Sequence, residues 1–120
     1  MKYVIHEHQK HGDPVHWDLM LECGAVLKTF RLDWAPHALL THPCLVIPIF
    51  DHDTRFLTYE GPVQQGLGQV KRVDWGTYDM VSKSESTWIV DLQGEKLQTR
   101  LQLPLEQPAQ LIILKISGNL

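Results

Sequence analysis

The sequence predicts a single all-β domain over residues 1–120, a compact antiparallel β-barrel with few or no helices. Three observations predict it. Short segments rich in β-branched, aromatic and leucine residues recur along the chain. Turn chemistry separates them. No window of helical length sustains a 3.6-residue apolar period. In order, the first strand is Tyr3–His8, with Val4, His6 and His8 on one face. Val15–Glu22 alternates strictly and ends at the Cys23-Gly24 turn, and Ala25–Leu32 follows. A short turn of helix is placed near Pro36–Leu40. Leu45–Phe50 is an apolar run, and Phe56–Tyr59 is a short aromatic strand before Gly61-Pro62. Gln69–Asp74 closes on an Asp74-Trp75-Gly76 turn, and Thr87–Leu92 on Gln93-Gly94. Leu97–Leu103 runs to Glu106-Gln107-Pro108, and Leu111–Ile116 comes last. Many short strands with frequent turns fit a closed or nearly closed barrel.

A chain of 120 residues supports one core. With 43% hydrophobic and 21% charged residues it has a globular composition, not a disordered one. Its longest apolar runs, such as Cys44–Ile49 and Leu111–Leu114, are too short to cross a bilayer. Met1–Glu7 has no signal-peptide pattern, so a cytoplasmic protein without membrane contact is expected. Cys23 and Cys44 are read as reduced thiols. A net charge of −3 disfavours a broad grip on duplex DNA but not recognition of one strand end, which needs few cations.

Histidine stands out: four of the seven fall in the first 16 residues. On the strand Val15–Glu22, Trp17, Leu19 and Leu21 share one face, while His16, Asp18, Met20 and Glu22 share the other. An imidazole and a carboxylate two residues apart can reach one ion. That donor pair suits Mn²⁺ or Zn²⁺ better than Mg²⁺ or Ca²⁺. A third ligand from the preceding strand would complete a set of two histidines and one carboxylate, and His6, His8 and His11 are all candidates. His52 lies at a strand end, where loops build sites. Glu60-Gly61-Pro62 and Gly66-x-Gly68 read as structural turns, and His37 and His42 as solvated.

Across these blocks the chain resembles the 3′-phosphoesterase domain of bacterial DNA ligase D. The matching segments begin with Val4-Ile5-His6-Glu7-His8, His16-Trp17-Asp18-Leu19-Met20-Leu21-Glu22 and Leu27-Lys28-Thr29-Phe30. They continue with Asp51-His52, Tyr59-Glu60-Gly61-Pro62, Gly66-x-Gly68, Asp74-x-Gly76-Thr77-Tyr78 and Gly94-Glu95-Lys96-Leu97. The resemblance implies a β-barrel with a concave groove. It also implies Mn²⁺-dependent removal of 3′-phosphate or terminal ribonucleotides from DNA ends or primer-template termini, with a DNA ligase or polymerase as partner. It assigns His8, His16 and Asp18 as metal ligands, His52 to the scissile phosphate, and Glu22 to support of the site. Two departures stand against it: Met20 replaces a phosphate-binding arginine, and Phe56 replaces a tyrosine. Two further basic positions of the family fall near Trp34 and Cys44. Arg31, Arg55, Arg72 and Lys10 are the candidate substitutes. An alternative reading is a metal-binding barrel of weak or lost activity that docks nucleic-acid ends or a repair partner.

Overall fold

The computed structural model describes residues 1–33, 35–36, 44–106 and 110–112. Among these residues, nine antiparallel strands form one curled sheet: β1 Lys2–Lys10, β2 His16–Cys23, β3 Val26–Leu32, β4 Cys44–Asp53, β5 Gly61–Val63, β6 Gly68–Lys83, β7 Thr87–Gly94, β8 Gln98–Pro104 and β9 Gln110–Ile112. Their hydrogen-bonded order is β8-β7-β6-β1-β2-β3-β4-β9, and β5 adds to β6. The sheet curls into a half-barrel, an all-β architecture with only short 3-10 turns among the described residues. No described helix is long and apolar enough to cross a membrane.

Strand alternation gives the sheet two different faces. Ile5, Leu19, Leu21, Phe30 and Leu101 are fully buried in the main core. Each such side chain contributes about 1.5–3 kcal/mol on leaving water. On the opposite face, Val4, Met20 and Leu27 form a smaller cluster, packed against by Phe56 and Leu57. The strict alternation of β2 therefore divides as expected, with Leu19 and Leu21 in the core and Met20 on the groove side.

Three stretches differ from the sequence reading. Thr54–Leu57 is a 3-10 turn where a strand over Phe56–Tyr59 was expected, because the Asp53 carboxylate accepts the Arg55 amide at 2.8 Å and caps it. Gly61–Val63 is a short strand paired with β6, not only a turn. Asp74-Trp75-Gly76 does not turn at all: β6 continues for 16 residues. A bulge at Val73 separates the pairs Ile5↔Asp74 and His6↔Arg72. It shifts the alternation by one residue and swings Asp74 into the core, where it is fully buried. Trp34, residues 37–43, 107–109 and 113–120 lie outside the described residues, and with them most of the Pro36–Leu40 turn, of the Glu106-Gln107-Pro108 turn and of the last strand.

The glycines of the matching blocks are explained by close approaches. Gly76 and Gly94 face each other across β6 and β7. A Cβ on Gly94 would fall 1.7 Å from the Tyr3 hydroxyl, and one on Gly76 would fall 2.1 Å from the Gln93 carbonyl. Gly61, at φ +135°, lets the Tyr59 hydroxyl donate back to the Pro62 carbonyl, which closes that turn.

Candidate metal centre

The β1–β2 hairpin sets His8 directly opposite His16, and His6 directly opposite Asp18. All four side chains thus belong to the groove face. His8 Nδ1 lies 3.0 Å from His16 Nε2. Asp18 Oδ2 is 3.5 Å from His16 Nε2 and 3.9 Å from His8 Nδ1. One ligand atom from each of the three falls within 4.8 Å of the others. Ligands about 2.1 Å from one ion, at neighbouring coordination positions, stand roughly 3.0–3.4 Å apart. The cluster therefore fits a divalent cation with little adjustment.

Burial supports the same fit. Asp18 is 5% exposed and His8 8%. The other atoms of these two groups, Asp18 Oδ1 and His8 Nε2, have no hydrogen-bond partner. Burial, and then the neighbouring His16, lowers the pKa of His8, which keeps its ring a neutral donor of a lone pair. Gly68 allows that ring its place, since a Cβ there would stand 3.0 Å from His8 Nε2.

A groove of about 490 Å³ runs from this cluster across the sheet. His6, His8 and Asp18 line one end, and His52, Phe56 and Arg55 another part of its wall. His6 is 1% exposed, and burial pushes its pKa down to about 4. Its Nε2 is unpartnered. At His52, Nδ1 donates to the Phe50 carbonyl at 3.1 Å, because a carbonyl only accepts. That keeps a proton on Nδ1 and leaves Nε2 for a ligand.

The remaining candidates divide. Arg31 Nε stands 3.8 Å from Asp18 Oδ1, beside the cluster. Arg55 lines the groove, with its guanidinium 4.9 Å from the centre of the Phe56 ring. Arg72 is not brought to the groove wall: its guanidinium stacks 4.5 Å over Trp75. Its amide is held by Glu60 at 2.8 Å. Glu22 is not brought to the cluster either. It lies four residues along β2 from Asp18, roughly 13 Å, and its Oε1 accepts the Lys2 amide at 3.0 Å. His11 is exposed in the hairpin loop. Met20 is 1% exposed and forms apolar groove floor with Phe56. Sequence reasoning did not single out Phe50 or Tyr59, which also line the groove. Their aromatic neighbourhood with His52 was the available signal.

A curled antiparallel sheet with a histidine–carboxylate cluster at the end of a concave groove defines a class of small β-domain built around a polar site. Comparison with known proteins gives that class its family. The chain belongs to the DNA ligase D 3′-phosphoesterase domain family, whose model matches residues 6–104. It is 31% identical to the multifunctional non-homologous end joining DNA repair protein LigD of Mycobacterium tuberculosis, over 84% of this chain and 14% of that protein. It is 29% identical to the multifunctional non-homologous end joining protein LigD of Mycolicibacterium smegmatis, over 85% of this chain and 15% of that one. The chain thus corresponds to a small part of each relative.

Proposed function

We propose that this domain is a Mn²⁺-dependent phosphoesterase that removes a 3′-phosphate or a terminal ribonucleotide from DNA ends, with His8, His16 and Asp18 holding the ion. The convergence of those three ligand atoms beside a groove, in a member of this family, carries the reading. A divalent ion there would supply Lewis-acid polarisation of a phosphoryl oxygen and make water a better nucleophile towards phosphorus. Zn²⁺ is the second candidate on the same donors. His52 presents Nε2 from the other part of the wall; carrying a second proton there, with Nδ1 still donating to the Phe50 carbonyl, its imidazolium stabilises charge on the phosphoryl group or protonates the leaving oxygen. Arg55 and Arg31 supply positive charge near the phosphate, in place of the guanidinium that Met20 does not provide. The proposed setting is cytoplasmic repair, with a DNA ligase or polymerase to use the 3′-hydroxyl. A 3′ terminus as substrate also suits a chain of net charge −3, since only a few phosphates need neutralising.

The test is direct. A primer ending in 3′-phosphate, incubated with the protein and Mn²⁺, is expected to become extendable by a polymerase. Failure across Mn²⁺, Zn²⁺ and a range of pH would overturn the catalytic reading. The burial of Met20 in an apolar floor favours one second reading, a barrel that binds ends without turning them over. Retained binding of the same primer without conversion identifies that case. Within the catalytic reading, Arg55→Ala is expected to raise KM for the 3′-phosphate primer about 10- to 150-fold, as loss of a charge-assisted contact of roughly 1.5–3 kcal/mol implies. An unchanged KM would remove Arg55 from the phosphate site.

A further inference from the structure

Phe50 is 75% exposed, yet it sits on the strand that delivers His52 to the groove. Its position follows from a bulge. Thr29 pairs with Ile49 and Leu27 with His52, so β4 carries one residue more than β3 in this interval. Phe50 and Asp51 together face Lys28. A bulge of this kind re-aims a side chain that regular alternation would send elsewhere. The Phe50 ring lies nearly parallel to the His52 ring, 4.8 Å between centroids at 10°, and lines the groove. One face of the ring is therefore backed by an imidazole, and at 75% exposure the other is open to solvent.

The surroundings say what that open face fits. It is a platform one ring wide, and Asp51 and Arg55 beside it are exposed and charged. A protein partner held by apolar contact would need a contiguous apolar patch of a few hundred Å². A flat π-system carrying an anion needs what is present: one ring to stack on, a cation nearby and a polar groove. Arg55 supplies the cation on the same wall, itself held over Phe56 at 4.9 Å and Tyr59 at 5.9 Å. Every nucleobase has a π-face, so stacking on an aromatic side chain selects for a base without selecting which.

We propose that Phe50 is the stacking platform for the nucleobase of the 3′-terminal nucleotide, seating that nucleotide so that its phosphate lies between His52 and the His8–His16–Asp18 cluster. This rests on the 3′-end reading and adds to it a residue that recognises the base. The bulge on β4 then has a functional sense: it places the base platform and the phosphate-facing imidazole two residues apart on one strand.

The experiment compares two 3′-phosphorylated primers with Mn²⁺, one ending in adenosine and one ending in an abasic nucleotide. Phe50→Ala is expected to raise KM about 5- to 150-fold on the adenosine primer, with kcat little changed. On the abasic primer the same substitution should change KM less than twofold. Phe50→Trp should restore the adenosine KM. With 2-aminopurine at the terminus, wild-type protein should quench its fluorescence and Phe50→Ala should not. An equal KM for Phe50→Ala and wild type on the adenosine primer would overturn the platform alone, as would an equal rise on both primers. Wild-type protein that neither binds nor dephosphorylates either primer would overturn the 3′-end reading, and the platform with it. Because Phe50 is largely exposed, folding is not at stake in either variant.

Discussion

Asp18→Ala is expected to lower Mn²⁺ affinity at least about 100-fold, to the point where calorimetric titration records no binding heat. Loss of a residue that only orients a ligand already costs roughly 10–100-fold in metal affinity. Asp18 is proposed as a ligand itself, and it brings the only negative charge in the cluster. Without it, two imidazoles 3.0 Å apart remain, with no negative charge to offset the nearby Arg31 guanidinium. Asp18→Asn keeps the shape and loses the charge, and the same outcome is expected. A second readout separates site from fold. At 100 times its dissociation constant, a bound ion stabilises the native state by about 2.7 kcal/mol. Mn²⁺ should therefore raise the melting temperature of the wild type and leave that of Asp18→Asn unmoved. The metal-free Asp18→Asn protein should still fold, because the change keeps the side chain's shape and its ionic neighbour Arg31 is 42% exposed and stays solvated. Matching isotherms for wild type and Asp18→Ala would dissolve the proposed centre.

The site's near half was legible because it is local. Strict alternation on Val15–Glu22 put His16 and Asp18 on one face, and a short loop made the hairpin back to β1 the simplest path. The choice among His6, His8 and His11 was not legible from spacing. His6 and His8 share a face, and only the pairing His8↔His16 sets which ring meets the cluster. The far half depended on bulges, which add one residue without leaving a composition signal. Phe50 continues the apolar run from Leu45 and reads as core, but the extra residue on β4 leaves it exposed. Glu22 has the right face and the wrong end of the strand, a distinction that period-two patterning cannot draw. Arg72 shares the groove face, but Trp75, three residues on, offers its guanidinium a ring at 4.5 Å.

The same blindness to bulges hid Asp74, and there the largest stability effect is expected. Asp-Trp-Gly reads as a turn, but Asp74 is a fully buried carboxylate in a continuous strand. It accepts the Tyr3 hydroxyl at 2.5 Å and the backbone amides of Lys96 and Leu97 at 2.8 and 3.2 Å. Burial and the adjacent carboxylate raise the Tyr3 pKa, so its hydroxyl remains a donor throughout the ordinary pH range. One side chain thus ties β1 and β6 to the turn between β7 and β8. Asp74→Ala leaves the Tyr3 hydroxyl and the Leu97 amide buried without an acceptor, at about 1–3 kcal/mol each. The expected loss is about 3–5 kcal/mol, a large part of the 5–15 kcal/mol typical of a domain. For a chain of this size that corresponds to a fall of roughly 10–20 °C in Tm. Tyr3→Phe should cost less, about 1–2 kcal/mol, since the carboxylate keeps its two amides. The double variant should lose clearly less than the sum of the two, because the hydroxyl is already orphaned once Asp74 is gone. Urea unfolding of the four proteins measures this directly. An Asp74→Ala protein within about 0.5 kcal/mol of wild type, the range of ordinary surface changes, would mean that water reaches these groups and that the clamp does not exist. Because β1 also carries His8, a weakened clamp should loosen Mn²⁺ binding as well, in a variant that touches no ligand of the proposed site.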